Sequence, residues 1–200
     1  MRIKNENDLT ECVEHYGILR FWDETRLAAS TLSDISFMKL WNVRERAVNS
    51  ERVAYGKFVL KKAAFVALDV LPYLVSLRRN GYDFDSLCDE GLAPNREAIV
   101  MNAVGDKPTP SYALGGALGI KGYDAAVASL QNKTYLALTF KKSSMGTALL
   151  CRPEDIWGAD FVRSEYDLTP EQCAQKILER CKGLGDFTEK ELKKILSPAV

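Results

Sequence analysis

Histidine is nearly absent from this 200-residue chain, where His15 stands alone. A zinc site of the usual kind, or a serine or cysteine nucleophile activated by imidazole, would have a single ring to draw on and no partner motif beside it. Neither chemistry is expected, and no metal or cofactor is expected either. Glutamine is almost as scarce: Gln131, Gln172 and Gln175 are the only three, and the first 130 residues hold none. The five cysteines, Cys12, Cys88, Cys151, Cys173 and Cys181, are odd in number and form no C-x-x-C pair. They read as cytosolic thiols, with Cys151 and Cys173 in packed positions, and nothing near any of them lowers a thiol pKa toward nucleophilic use. Long apolar runs are missing too. The longest, Ala63 to Leu77, is broken by Asp69 and Pro72 and is too short to span a bilayer. Arg2 and Lys4 are followed by Glu6, Asp8, Glu11 and Glu14 rather than by an apolar core, so no secretory leader is expected. These absences leave a cytoplasmic protein with no membrane partner.

What is present is ordinary for a globular chain, 46% hydrophobic and 27% charged, with a formal net charge of zero. The charges are not evenly spread. Arg44, Arg46, Arg52, Lys57, Lys61, Lys62, Arg78 and Arg79 face only Glu45, Glu51 and Asp69 in the span 44–79. The span 80–120 is acidic through Asp83, Asp85, Asp89, Glu90, Glu97 and Asp106, and Lys121, Lys133, Lys141 and Lys142 make the next stretch basic again. Separated basic blocks that merge on a surface form the electrostatic footprint of phosphate binding; pairing with the acidic block is the alternative.

The clearest local plan runs from Asn95 to Trp157. Pro94 or Asn95 opens a helix with Ile99, Val100, Ala103 and Val104 on one face and Gly105 as its stop. Thr109-Pro110 has the form of an N-cap with proline at the first helical position, predicting a second helix to Gly119. A third, from Lys121 or Gly122, carries Tyr123, Ala126, Val127 and Leu130 on one side. At Asn132-Lys133 the period switches to two: Tyr135, Ala137, Thr139 and Lys141 alternate with Leu136, Leu138 and Phe140. Residues 142–146 turn, and Thr147 to Cys151 returns as a second strand before Pro153.

A looser echo precedes it. Asn7 or Asp8 caps a first helix ending at Gly17, and Ser33 or Asp34 caps a helix carrying Phe37, Leu40 and Trp41. Arg52 to Leu68 reads as a hairpin with Lys61 and Lys62 at or near its turn. Asp69 is placed to cap the next helix, whose Arg78 and Arg79 suit the carboxy-terminal dipole end. Asp85 or Ser86 caps a short helix to Gly91. Thr169-Pro170-Glu171-Gln172 is a capping box, and Thr188 with Glu191 repeats it. The expected fold class is α+β, mainly helical: tandem winged-helix modules with small two-stranded hairpins. An amino-terminal module covers 1–91, a second winged-helix module 92–158, and a helical extension 159–200.

At Ala54-Tyr55-Gly56-Lys57-Phe58, Lys61-Lys62-Ala63-Ala64-Phe65, Pro72-Tyr73 and Arg78 through Asp85, and again at Leu130 through Leu136 and Pro153 through Val162, the chain resembles the small AlkZ-related proteins. These are short relatives of the AlkZ/YcaQ-type DNA glycosylases, which are built from tandem winged helices. The resemblance covers roughly residues 1–166 and leaves the two carboxy-terminal helices unexplained. It implies a tie to DNA. The glycosylases carry a Gln-x-Gln or Gln-x-Asp motif near the start of their fold to position the attacking water. Here that motif is missing, and Gln131, at the end of a later helix, does not match it residue for residue. Asp23, Glu24 and Asp34 lie in the amino-terminal region, but nothing in their spacing singles out one of them as a base.

The leading functional reading is therefore a non-catalytic, winged-helix protein that binds double-stranded DNA with low sequence specificity. Its candidate contacts are Lys121, Ser129, Asn132, Lys133, Lys141 and Lys142, with Lys61 and Lys62 on the first hairpin. No catalytic residue is assigned. The outer face of the third helix shows Asp124, Ala125 and Ala128 and no arginine to grip guanine, so base readout looks poor. A module that docks a protein partner is the second reading, favoured by formal neutrality, and a divergent glycosylase is the third.

Overall fold

A computed structural model describes residues 3–21, 37–141, 143, 146–182 and 188–196. The chain is α+β and mainly helical, with two small antiparallel sheets, each of three strands rather than the two expected. Ser33, Asp34, Asp23, Glu24 and Lys142 lie outside the described residues.

Helix α1 (Glu6–Tyr16) is capped by Asn5, whose side chain accepts from the N–H groups of Asn7 and Asp8; the cap lies two or three residues before the position read from the sequence. Gly17 ends the helix as expected. Its φ of +77° and the 2.8 Å from a notional Cβ to Cys181 Sγ both require glycine there. The chain passes straight into strand β1 (Ile18–Arg20), three residues that sequence periodicity did not reveal. Helix α2 (Phe37–Asn49) follows, and then the first hairpin, strands β2 (Val53–Val59) and β3 (Lys62–Ala67). Leu60 and Lys61, with φ of 50° and 60°, make its two-residue turn, the mirror-image form that matches strand twist. Ala63 and Ala64 are good helix formers, yet β3 is the central strand of the order β1-β3-β2, and burial between two neighbours overrides propensity.

Helix α3 (Leu71–Arg79) has Val70 at its N-cap with no side-chain bond. Asp69 does not cap it, because its carboxylate accepts from Arg180 Nε at 2.7 Å. Helix α4 (Phe84–Asp89) starts after Asp83, earlier than Asp85 or Ser86. Helix α5 (Asn95–Val104) buries Glu97, Val100, Met101 and Val104 and leaves Ile99 exposed, so its inner face is turned from the one expected. Thr109 does not cap the second helix: Thr109-Pro110 is strand β4, paired with Leu149 and Leu150, and Pro110 itself stands at the N-cap position. Proline is tolerated on a sheet edge for the same reason as at a helix start: no N–H is required of it. Helix α6 (Ser111–Leu118) then begins one residue beyond Pro110. Helix α7 (Tyr123–Asn132) leads to strands β5 (Ala137–Thr139) and β6 (Leu149–Cys151), giving the order β4-β6-β5. Among the described residues the two halves share one plan: a helix, a short edge strand, one further helix in the first half (α2) and two in the second (α6 and α7), then a hairpin whose returning strand lies in the middle.

Two short helices follow, α8 (Pro153–Trp157) and α9 (Ala159–Val162), and then α10 (Pro170–Cys181) and α11 (Glu189–Ile195), both opened by the expected capping boxes. Helix α10 packs along α3 and buries Cys173, Ile177 and Cys181; α11 buries Leu192 and Ile195. These side chains join one cluster with Leu9, Val13, Ile18, Phe65 and Leu74, whereas Phe84, Val100, Met101, Val127, Leu130 and Leu150 form a second. The carboxy-terminal helices complete the core of the amino-terminal half. Among the described residues no helix is long and apolar enough to cross a membrane.

Candidate nucleic-acid interface

Helix α7 is closed on two sides. One side packs into the second core cluster; the other lies against β2, where Ala128 is buried and Gln131 is 1% exposed. Gln131 Oε1 accepts the Lys57 N–H at 2.8 Å, and Asn132 Oδ1 accepts the Lys61 N–H at 3.3 Å. Gly56 makes the approach possible, since a Cβ there would meet Gln131 Oε1 at 3.2 Å and the Phe58 ring at 3.0 Å. The tip of the first hairpin therefore rests on the carboxy-terminal end of α7. Ala128, read from the sequence as part of an outer, groove-facing surface, faces the protein. Half-buried Ser129 lies in the same closed half of the helix, and Asn132 is engaged by backbone.

The lysines divide accordingly. Lys133 Nζ bridges both oxygens of the buried Glu97 carboxylate at 3.1 and 3.2 Å. Lys141 reaches Glu51 at 2.6 Å, but both side chains are well exposed, and such a pair contributes little and yields easily to another anion. Lys61, Lys62 and Lys121 are exposed. The structure brings Lys61 and Asn132 together and puts Lys57 beside Gln131, so the first basic block meets the end of α7. Lys141 stands apart, at the end of α2 beside Glu51.

Three of the sequence motifs meet elsewhere, around Arg79. Its guanidinium is buried, 2% exposed, and donates to Glu154 Oε1 at 2.5 Å, to the Thr134 carbonyl at 2.6 Å and to Tyr166 Oη at 3.2 Å. It also lies 4.8 Å from the centre of the Tyr135 ring. Burial alone would push the Glu154 carboxyl upward; the charge and hydrogen bonds of Arg79 more than reverse this and hold it below the ordinary carboxylate range. Arg163 reaches Asp83 at 3.0 Å, and Tyr135 Oη donates to the Tyr82 carbonyl at 3.0 Å. Arg79 is thus not a solvated cation at a helix end but the tie between α3, α7 and α8. A polar cavity of about 110 Å³ beside it is lined by Asp85, Asp106, Arg152 and Asp155.

A second buried arginine joins the halves on the other side. Arg44 of α2 stacks 3.8 Å from the Trp41 ring centre and 4.4 Å from that of Phe140, with Tyr55 and Phe21 at 5.6 and 5.7 Å. Burial lowers its pKa from the usual arginine value. Phe140 N–H donates to Asn49 Oδ1 at 3.2 Å, and Gly146 lies so near Glu45 that a Cβ would be 2.9 Å from its carboxylate. Phe140 and Gly146, which follow β5 and precede β6, therefore both lie against α2, a helix from the other half.

All three glutamines have structural partners. Gln131 holds Lys57, Gln172 accepts the Thr169 N–H within its capping box, and Gln175 donates to Glu179 at 2.9 Å. Burial pushes the thiols of Cys151, Cys173 and Cys181 upward, away from thiolate chemistry.

The family model described as AlkZ related matches residues 3–197, which takes in both carboxy-terminal helices as well as the region the sequence motifs cover. No curated protein and no solved structure matches the chain.

Proposed function

The chain belongs to the AlkZ-related family, and from that premise we propose that it is a tandem winged-helix protein that holds duplex DNA through phosphate contacts, without glycosylase chemistry. The observation that carries the reading is the repeated plan of its halves, with sheet orders β1-β3-β2 and β4-β6-β5, each placing a hairpin directly after a helix. That is the succession by which a winged helix sets a groove-facing helix beside a phosphate-facing wing. We divide the chain as 1–91, 92–158 and 159–200. Lys61, Lys62, Lys121 and Lys141 are the phosphate contacts. Lys133, Ser129 and Asn132 support the fold, and Lys142 continues the wing in sequence.

Contacts of this kind are sequence-independent and salt-sensitive. Four lysines contribute a slope of about −3.6 in log K against log salt, a fall in affinity of roughly 150-fold between 50 and 200 mM. Fluorescence anisotropy with labelled duplexes of unrelated sequence will give similar affinities at 50 mM and a decline at least this steep. Affinity that ignores salt, or no binding at 50 mM, would sink the proposal.

The engagement of every glutamine in the fold supports the non-catalytic part. Protein in excess over DNA containing a methylated purine is expected to leave no alkali-labile abasic sites above a heat-inactivated control, and strand cleavage above that level would overturn this part. The protein-docking alternative has one specific observation in its favour. An open groove of about 570 Å³ between α6, the start of α7 and Thr147 carries Tyr112, 73% exposed, beside Gly115 and Gly116.

A further inference from the structure

We propose that the helix meeting duplex DNA is α2, through Lys39, Asn42 and Arg46, and not α7. This rests on the DNA-binding reading above and assigns it residues that no sequence motif singled out. In the shared plan of the two halves, α2 and α7 occupy the same position, each the last helix before a hairpin. Among the described residues only α2 of these two has an open outer face. The carboxy-terminal half of α7 is sealed against β2 through Ala128, Gln131 and Asn132, and its open amino-terminal half presents Asp124, which a phosphate would repel.

Helix α2 buries Leu40, Val43, Arg44, Ala47 and Val48, while Lys39, Asn42 and Arg46 are exposed. At 100° per residue these three fall within an arc of about 60°, one stripe along the helix. Two cations and an amide are what a polyanionic groove calls for: lysine and arginine for phosphates or guanine, and asparagine as the usual reader of adenine. The neighbouring acids do not cancel the stripe. Glu45 is turned toward Gly146, and Glu6 is 3.9 Å from an Arg46 side chain that is 70% exposed. The strand end beside this helix comes from the other half of the chain: Phe140, just past β5, is bonded to Asn49, and Lys141 lies 2.6 Å from Glu51 just past the end of α2. The reading unit is composite, a helix from one half and a wing from the other, locked together by the Arg44 stack.

The test uses the full chain and a labelled duplex from 50 to 200 mM salt. With Lys39 and Arg46 added to the four lysines, the wild-type slope becomes about −5.4, and the double variant Lys39→Ala/Arg46→Ala returns it to about −3.6 with weaker binding at every salt concentration. Asn42→Ala, which removes no charge, lowers affinity without changing the slope. All three positions are exposed, so melting curves should match the wild type, and Lys39→Gln/Arg46→Gln repeats the result with bulk retained. If the double variants keep the wild-type slope while Lys61→Ala/Lys62→Ala reduces it, DNA is bound and the α2 assignment is wrong. If the wild-type protein binds single-stranded RNA but not the duplex, or binds neither, both readings fall.

Discussion

Replacing Glu154 with alanine will lower the stability of the protein by about 3–5 kcal/mol, the cost of leaving a buried cation without its counter-charge. Arg79 has nowhere else to go: its guanidinium is 2% exposed, and its remaining partners are the neutral oxygens of Thr134 and Tyr166 with Asp83 at 3.9 Å. Urea denaturation of the variant against the wild type measures the loss, and a change under 1 kcal/mol would mean that Asp83 can take over. The same pair sets a pH dependence. Because the Glu154 pKa is depressed in the folded protein, its contribution is fully present above the ordinary carboxylate value of about 4.5. It is lost as the pH falls from there through the folded-state pKa. The wild type will therefore lose stability on acidification below about pH 4.5 more steeply than Glu154→Ala, and the two curves should converge at low pH.

Ile177→Ala will destabilise the chain by about 2–5 kcal/mol, although the residue lies in a helix that the amino-terminal motifs give no reason to expect in the core. Ile177 is fully buried on α10, which packs along α3, and it is flanked by Cys173 and Cys181, the latter seated against Gly17. Lys176→Ala, one residue earlier and exposed, should change stability by less than about 0.5 kcal/mol. Thermal melts of the pair decide the matter: equal midpoints would show α10 to be an appendage.

What could be read from sequence follows from how local each signal is. The first hairpin is legible because its period-two runs and a turn at or near Lys61 lie close together in the chain, and both carboxy-terminal capping boxes are legible because their two ends, Thr169 and Gln172, Thr188 and Glu191, are one helical turn apart. Thr109-Pro110 predicts the second helix and its end at Gly119 but sets the start one residue early, because an edge strand and a helix start ask the same thing of proline. Ile18–Arg20 is too short to show a period at all. Arg79 read as a dipole-end cation because its true partner is 75 residues away, and Asp69 read as a cap because Arg180 is 111 residues away. On α7, the lack of arginine and the presence of Ala128 predict a poor groove-reading face. The same residues are what a helix buried on two sides requires, and alanine at that position was the available sign. The stripe on α2 escapes a count of charge by span because only Arg46 falls within the basic block of 44–79, while Lys39 and Asn42 precede it and join it only by helical phase.

Arg180 donates to the carbonyls of Glu14 and His15, 166 and 165 residues earlier, and Cys181 sits against Gly17. During synthesis the first helix must therefore wait for almost the last one. The amino-terminal half leaves the ribosome with its surface around α3 uncovered, whereas the cluster from Phe84 to Leu150 is contiguous in the chain and has all its members as soon as β6 emerges. The half made second is the one able to close first. A chain cut off near residue 165 and released from the ribosome would present a protease-resistant centre and a vulnerable beginning, an order opposite to the direction of translation.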